Sequence, residues 1–213
     1  MLPLTLGAVR SLLVLGAHPD DIEIGCGGTV LRLAAEGALG EVIWVVCSGR
    51  GERRAEAEAS ADAFLAGAAR TRVILADHRD GYFPWVGDRL KDLFEQLKGE
   101  LRPDLILTHR RADAHQDHRQ VAELTWNTWR DHLILEYEIP KYDGDLGNPG
   151  LFVALDRPTC ERKVELLLKH FPSQSDRRWF TADTFWSLLR LRGIECNAPS
   201  GFAEGLYARK VII

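Results

Sequence analysis

The sequence predicts an α/β fold in which a parallel sheet is covered by helices on both faces. Through the first two-thirds of the 213-residue chain, short runs rich in Val, Ile and Leu alternate with longer segments. In the longer segments, apolar residues recur at spacings of three and four, which is typical of amphipathic helices. Gly, Pro, Asp or Ser bounds each short run, as expected for strands. Repeated alternation of strand and helix indicates a parallel sheet.

The elements follow from this pattern in chain order. We predict strands at 11–15, 41–47, 72–75 and 104–108, with helices at 22–36, 54–66, 89–101 and 116–130. Beyond residue 131 the pattern is weaker, and it favours strands at 133–139, 150–155 and 209–213 and helices at 157–171 and 181–192. Since no shift in composition marks a boundary, we expect one domain spanning residues 1–213.

Composition narrows the class of protein. With 27 Lys and Arg against 31 Asp and Glu, the net charge is −4, and 46% of the residues are hydrophobic. Such values argue against a disordered chain and against a dedicated binder of nucleic acid or anionic membranes. The four cysteines lack CxxC spacing, which favours reduced thiols in a cytoplasmic protein. The composition leaves a homo-oligomer open.

The apolar N-terminus predicts the first core strand rather than a cleaved signal peptide. Arg10 interrupts the apolar stretch instead of preceding it. No apolar run approaches the roughly 20 residues that span a bilayer. We therefore expect no transmembrane segment.

Histidines and aspartates are concentrated after two of the predicted strands. The segment AHPDD, residues 17–21, follows the first strand, and HRRADAHQDH, residues 109–118, follows the fourth. Ligands of open α/β sheets bind outside the carboxyl ends of the strands. Because these ends lie along one edge of a parallel sheet, the two segments are expected to meet.

The spacing within the two segments has a chemical meaning. Pro19 suits the first turn of a helix. In such a turn His18 and Asp21 converge on one point, whereas Asp20 projects elsewhere, and His115 and His118 are likewise three apart. Alone, either segment is more often a helix cap or a polar helix face. Together they predict a metal site, since two imidazoles and a carboxylate are a common ligand set for catalytic zinc.

These motifs resemble those of the PIG-L/LmbE-like family of zinc-dependent N-acetylglucosamine deacetylases. The family pattern is AHPDD…GCGG…DxHPDH, and this chain has AHPDD at 17–21, GCGG at 25–28 and DAHQDH at 113–118. Weaker matches lie at 48–58, 171–174 and 202–204. The resemblance implies a Rossmann-like three-layer α/β/α sandwich with a mostly parallel sheet. Gln116 departs from the pattern, which usually has proline there, and removes a rigid start to the helix that carries His118.

The resemblance also implies a role for each matching residue. His18, Asp21 and His118 match the metal ligands, Asp20 matches the general base, and His115 matches the group that polarises the carbonyl and helps to protonate the leaving amine. The carboxylates that match the positions orienting the imidazoles are Asp113 and Asp117. The implied cofactor is Zn²⁺, although Fe²⁺ or another divalent metal can occupy such a set.

Substrate contacts are less well defined by the sequence. Guanidinium groups suit a phosphate or carboxylate, and the sequence does not choose among Arg53, Arg54, Arg110 and Arg111, which surface charge also explains. The family likeness singles out Arg54 and Glu204. His109 either faces the cleft or caps backbone, and the loop around His78 follows the third strand, where a substrate can lie.

The activity that the resemblance implies is hydrolysis of the N-acetyl group of an N-acetylglucosamine-type sugar or its conjugate, a small-molecule substrate. Asp20 is expected to activate the attacking water at the metal, and His115, as imidazolium, to complete the oxyanion site. A metal-dependent hydratase or another amide hydrolase is the alternative within enzymes. A nucleotide-binding protein would need the Gly-rich turn that residues 16–19 lack, and a non-catalytic sugar-binding module would not need Asp20.

Overall fold

The structure, a computed structural model, describes residues 9–37 and 39–212. Its strands are β1 Ser11–Gly16, β2 Glu41–Val46, β3 Thr71–Leu75, β4 Leu105–His109, β5 Leu133–Tyr137, β6 Leu151–Ala154 and β7 Ala203–Ala208. Its α-helices are α1 Asp21–Ala35, α2 Gly51–Phe64, α3 Gly87–Glu100, α4 Gln116–Thr128, α5 Arg157–His170 and α6 Ala182–Glu195. Short 3₁₀ turns lie at Phe83–Trp85 and Pro172–Gln174.

The strands form one seven-stranded sheet in the order β3-β2-β1-β4-β5-β7-β6. Strands β1 to β5 pair in parallel, and β7 runs antiparallel between β5 and β6. The chain proceeds outward from β1 to β3 and then returns to the other side of β1 for β4. The strand order therefore reverses between β1 and β4, and such a point opens a crevice at the carboxyl ends of the two strands.

Alternate residues of the strands face two separate cores. In β1, Leu12 and Val14 pack with α1, α2, α5 and α6, while Leu13 and Leu15 pack with α3 and α4. All four side chains are fully buried. The mostly parallel sheet between two helical layers confirms the predicted three-layer α/β/α fold.

Helix α1 is broken at Cys26, whose backbone has φ −146° and ψ 16°. The break frees the Ile24 carbonyl, which accepts a hydrogen bond from Lys163 Nζ at 2.6 Å. It also frees the amides of Gly28 and Thr29, which donate to the Glu204 carboxylate at 2.8 and 2.7 Å. Lys163 and Glu204 pair at 2.6 Å, so one buried ion pair satisfies both sides of the break.

Two glycines of the GCGG segment allow close packing around this break. A Cβ on Gly25 would run into the ring of Tyr137, and one on Gly28 would meet Leu155 and the Glu204 carboxylate. The absence of a side chain at these positions therefore brings α1 against β5 and β7.

Most predicted elements lie within a few residues of their observed bounds, but the prediction of a last strand at 209–213 is wrong. The last strand is Ala203–Ala208, which lies between β5 and the edge strand β6. Its small residues and Glu204 do not show the apolar pattern of a buried strand. Residues 209–212 follow it, and Ile212 is almost fully exposed. Residue 213, like the predicted features within 1–8, lies outside the described residues.

Among the helices of the described ranges, none combines the length and the apolar content that a membrane crossing requires.

Candidate active site

The two His- and Asp-rich segments meet at the point where the strand order reverses. The β1–α1 turn carries His18, Asp20 and Asp21, and the β4–α4 loop with the start of α4 carries the four candidates Asp113, His115, Asp117 and His118. Rings from the two segments contact each other, with the His18 and His118 centroids 5.2 Å apart. The sheet thus joins residues about 100 positions apart along the chain into one cluster.

Three side chains of this cluster direct donor atoms at one point. His18 Nδ1 lies 3.2 Å from His118 Nε2. The Asp21 carboxylate reaches both, with Oδ2 3.3 Å from His18 Nδ1 and Oδ1 3.4 Å from His118 Nε2. In a tetrahedral site with metal–ligand bonds of about 2.05 Å, neighbouring donor atoms are about 3.3 Å apart. With one Asp21 oxygen facing each imidazole, these spacings fit a divalent metal ion, and we call His18, Asp21 and His118 the donor centre.

The remaining nitrogens of the two imidazoles face carboxylates. His118 Nδ1 lies 3.1 Å from Asp113 Oδ2, and His18 Nε2 lies 3.1 Å from Asp117 Oδ2. When these nitrogens carry the protons, His18 Nδ1 and His118 Nε2 present lone pairs to each other and to Asp21. Such an arrangement is repulsive without a cation between the donors, and carboxylate–histidine pairs of this kind orient metal ligands.

The charges around the cluster also favour a cation. Burial lowers the pKa of His118, but Asp21 and the hydrogen bond to Asp113 raise it to a net value of about 9. Burial likewise opposes protonation of His18, yet Asp21 and Asp117 hold its pKa well above the usual value. The same carboxylates that attract a proton attract a metal ion.

Other groupings of donor atoms overlap this centre. His18, His115 and His118 form one triplet, Asp21 with His109 and His118 forms a second, and His18 with Asp80 and Asp117 forms a third. His109 Nε2 already accepts the Ala17 N–H at 2.9 Å. The lone pair that would bind a metal is therefore engaged, which favours the backbone-capping interpretation of His109.

Asp20 lies beside the donor centre with its backbone in the left-handed region, at φ 93°. Few non-glycine residues adopt this conformation, although aspartate is among those that do. Asp20 is 5% exposed, and its Oδ2 is 3.2 Å from an Arg53 nitrogen, which also donates to the Pro19 carbonyl. Burial raises the pKa of Asp20 to about 7 against the opposing effect of Arg53.

The ring of His115 packs against the imidazoles of both His18 and His118. Its ring centroid is 4.9 Å from that of His18 and 4.6 Å from that of His118. Its Nδ1 accepts the Asp117 N–H at 3.2 Å, so the proton of the neutral ring is on Nε2. Burial and the neighbouring His118 lower the pKa of His115, which disfavours the expected imidazolium.

The candidate substrate residues lie outside the donor centre. Arg54 donates to the Leu75 carbonyl at 2.8 Å, and Arg110 donates to the Asp145 carbonyl at 2.7 Å while its guanidinium covers the Tyr207 ring. Glu204 is buried in its pair with Lys163. Of the arginines that the sequence left equivalent, Arg53 is the one that contacts Asp20.

Sequence reasoning did not single out Asp80. This aspartate lies in the loop after β3, and its Oδ1 is 3.1 Å from His18 Nε2. Spacing along the chain carries no sign of this contact, because the loop approaches His18 only through the pairing of β3, β2 and β1. Its position after a parallel strand was the one available signal.

Residues 13–129, more than half of the chain, match the family described as PIG-L, GlcNAc-PI de-N-acetylase. The chain belongs to the PIG-L family. A relative from Escherichia coli K12, described as the uncharacterized deacetylase YaiS, is 30% identical over 140 residues, which are 62% of this chain and 75% of the relative. This PIG-L family member is therefore a hydrolase that acts on N-acetyl amide bonds.

Solved structures share the fold of this PIG-L family member. The N,N'-diacetylchitobiose deacetylase of Pyrococcus horikoshii is 21% identical, with a TM-score of 0.74 over 94% of this chain and 84% of that one. The 4-carboxy-2-hydroxymuconate hydratase of Pseudomonas putida is 17% identical, with a TM-score of 0.69 over 96% and 98%. At these identities the likeness establishes the fold alone.

Proposed function

We propose that the protein is a zinc-dependent deacetylase that removes the N-acetyl group from an N-acetylglucosamine-type amino sugar or its conjugate. The observation that carries this proposal is the donor centre of His18, Asp21 and His118, with the buried carboxyl of Asp20 directly beside it. Zinc is the preferred ion because two imidazoles and one carboxylate leave a position open for chemistry. Iron(II) suits the same set.

His18, Asp21 and His118 would hold the metal, and Asp113 and Asp117 would orient the two imidazoles. A divalent ion here would acidify a water molecule and polarise the acyl oxygen of the substrate. Asp113 Oδ1 also forms an ion pair with Lys141 Nζ at 3.0 Å, so contacts on both sides hold the Asp113 carboxylate in place. The ligand geometry is therefore supported by a second layer of contacts.

Hydrolysis adds hydroxyl to the acyl carbon and a proton to the leaving amine. Asp20 is placed to accept the proton of the attacking water, and a carboxyl with a raised pKa accepts protons more readily near neutral pH. Arg53 holds the Asp20 side chain from the opposite side. His115, with its Nε2–H free to donate, is placed to hydrogen-bond the oxygen that becomes negative in the tetrahedral intermediate.

The alternative is another amide hydrolase on the same fold. A metal-dependent hydratase, which the sequence left open, does not agree with the family match and the deacetylase relative. The hydratase with this fold illustrates that the architecture does not determine the reaction. Release of acetate from N-acetylglucosamine conjugates is the measurement that separates the deacetylase from these alternatives.

Two substitutions test the assignment. We expect Asp20→Asn to retain bound zinc and lose at least about a hundredfold in kcat, because general-base catalysis contributes roughly that much. We expect His118→Ala to lose the metal. Metal content by elemental analysis and acetate release are measured on both variants, with exposed Asp92→Asn and partly buried His132→Ala, both outside the cluster, as matched controls. If Asp20→Asn releases acetate at the rate of the parent, Asp20 is not the general base.

A cytoplasmic location also remains our proposal. It is supported by the four free thiols, since oxidising compartments favour disulfides.

A further inference from the structure

Two exposed aromatic side chains lie on the loop that follows β3, at the same edge of the sheet as the donor centre. Trp85 is 72% exposed and Tyr82 is 42% exposed, and their ring centroids are 5.8 Å apart. The guanidinium of Arg79 stands 3.6 Å from the centre of the Tyr82 ring. We call Tyr82 and Trp85 the rim aromatics.

The backbone beneath the rim aromatics is tied to the candidate active site. Gly81 N–H donates to Asp117 Oδ2 at 2.6 Å, and Phe83 N–H donates to Asp117 Oδ1 at 3.1 Å. Tyr82 lies between these two anchors. Because Asp117 also contacts His18, one carboxylate connects the loop to a candidate metal ligand.

Gln116 connects the loop to the start of α4 through a third hydrogen bond. Its side-chain Nε2 donates to the Gly81 carbonyl at 3.2 Å. A proline at this position, as in the usual family pattern, has no such donor. The residue that departs from the motif therefore fastens the loop to the start of α4.

Packing of Phe83 against His18 also holds this loop at the candidate active site. Phe83 is fully buried, and its ring centroid is 5.7 Å from that of His18. The 3₁₀ turn Phe83–Trp85 continues directly from this contact, and Trp85 N–H donates to the Tyr82 carbonyl at 3.0 Å. This ordered backbone keeps the large apolar side chain of Trp85 in water. Such exposure costs free energy, and a ligand that covers the side chain recovers part of that cost.

We propose that the rim aromatics, chiefly Trp85, bind a second sugar ring, attached to the sugar that carries the N-acetyl group. This inference rests on the proposed function and names its substrate class as a glycoside of at least two rings. The flat face of a hexopyranose presents C–H groups that pack on an indole, while its hydroxyls remain in water. Such a contact adds affinity for the longer substrate and leaves the acetylated ring in place at the donor centre.

The test compares a short and a long substrate in the zinc-loaded enzyme. Acetate release is measured with N-acetylglucosamine, N,N'-diacetylchitobiose and 4-nitrophenyl N-acetylglucosaminide for the parent, Trp85→Ala and Trp85→Phe. We expect Trp85→Ala to lower kcat/KM for the disaccharide about tenfold, mainly through KM, as loss of roughly 60 Å² of apolar contact predicts. We expect the monosaccharide to change less than twofold, and Trp85→Phe to recover much of the loss.

Three outcomes overturn the proposal: equal losses for the monosaccharide and the disaccharide, no loss for either, or a loss confined to the aryl glycoside. Ile194→Ala, a truncation of a 60% exposed apolar side chain on α6, is the matched control and should leave both substrates unchanged.

A binding measurement separates this inference from the proposed function. Chitobiose, the disaccharide without acetyl groups, is titrated while tryptophan fluorescence is followed in the parent and in Trp85→Phe. A signal that the parent shows and Trp85→Phe lacks supports the second-ring contact even if no acetate is released from any substrate. If acetate is released but neither that signal nor the difference between substrates is observed, the proposed deacetylase activity holds and the proposed second-ring contact is wrong.

Discussion

At the scale of single residues, the candidate site is a set of buried charges that compensate one another. Asp21, Asp113 and Asp117 surround the imidazoles of His18 and His118, and each of these carboxylates is within 3.4 Å of a ring nitrogen. An ion buried without a partner would cost several kcal/mol. Their mutual contacts make this concentration of charge stable and leave one point, between the donors, that suits a cation.

Glu23 is a buried carboxyl that lies outside this set of mutually compensating charges. It is 1% exposed, and neither of its oxygens has a hydrogen-bond partner within the described ranges. Burial raises its pKa to about 8. Between the unfolded pKa of about 4.3 and this value, the unfolded state releases a proton that the folded state retains. Stability is therefore lost as the pH rises through this window.

We predict that Glu23→Gln becomes progressively more stable than the parent as the pH rises from 5 to 8. The difference in the free energy of unfolding should grow by up to about 1.4 kcal/mol per pH unit. Urea unfolding at several pH values measures it, with exposed Glu58→Gln on α2 as the control. A difference that does not vary with pH would mean that Glu23 is ionised in the folded protein.

At the scale of elements, the break in α1 is the feature on which the site depends. The first turn of α1 carries Asp21, while the part after Cys26 packs toward β7. Lys163 from α5 and Glu204 from β7 bond the two freed ends. The ion pair thereby positions the turn that carries a candidate metal ligand.

We predict that Glu204→Gln and Lys163→Met each destabilise the protein by about 3–5 kcal/mol, because each leaves a buried partner unpaired. Replacing both residues by apolar ones should recover part of the loss. Thermal or urea unfolding measures this, and Arg162→Met, which removes an exposed pair with Glu165, should cost less than about 1 kcal/mol. A fall in kcat/KM with unchanged stability would instead support the sequence-based role of Glu204 in binding substrate.

At the scale of the whole molecule, burial divides the thiols into two groups. Cys26, Cys47 and Cys160 are fully buried, whereas Cys196 at the end of α6 is partly exposed. Burial raises the pKa of Cys160 to about 12 and that of Cys26 well above its usual value. Since the thiolate is the reactive form, the buried thiols should be inert in the folded state.

We predict that the native protein reacts with Ellman's reagent at one thiol, and that all four react after denaturation. Cys196→Ser should leave no fast-reacting thiol. Rapid reaction of a second thiol in the native state would show that one of the two helical layers opens on the timescale of the assay.

Local patterns were sufficient for most of the fold. Apolar runs and helical spacings located six of the strands and all six α-helices. The signal was strongest in β1, β2 and β4, because burial on both faces of a parallel sheet leaves a strong hydrophobic pattern. The signal failed at Ala203–Ala208. There, small residues and a buried glutamate replace the apolar run, since neighbouring side chains fill the space and Lys163 balances the charge.

The sequence by itself determined the fold class, the family and the segments that hold the candidate site, because AHPDD and DAHQDH encode local turns whose spacing has chemical meaning. Only the tertiary structure decided which atoms meet. It brought Asp80 to His18, Arg53 rather than Arg54 to Asp20, Glu204 to the break in α1, and the loop that carries the rim aromatics to Asp117. These contacts join positions far apart in the chain through strand pairing and close packing, which spacing along the sequence does not record.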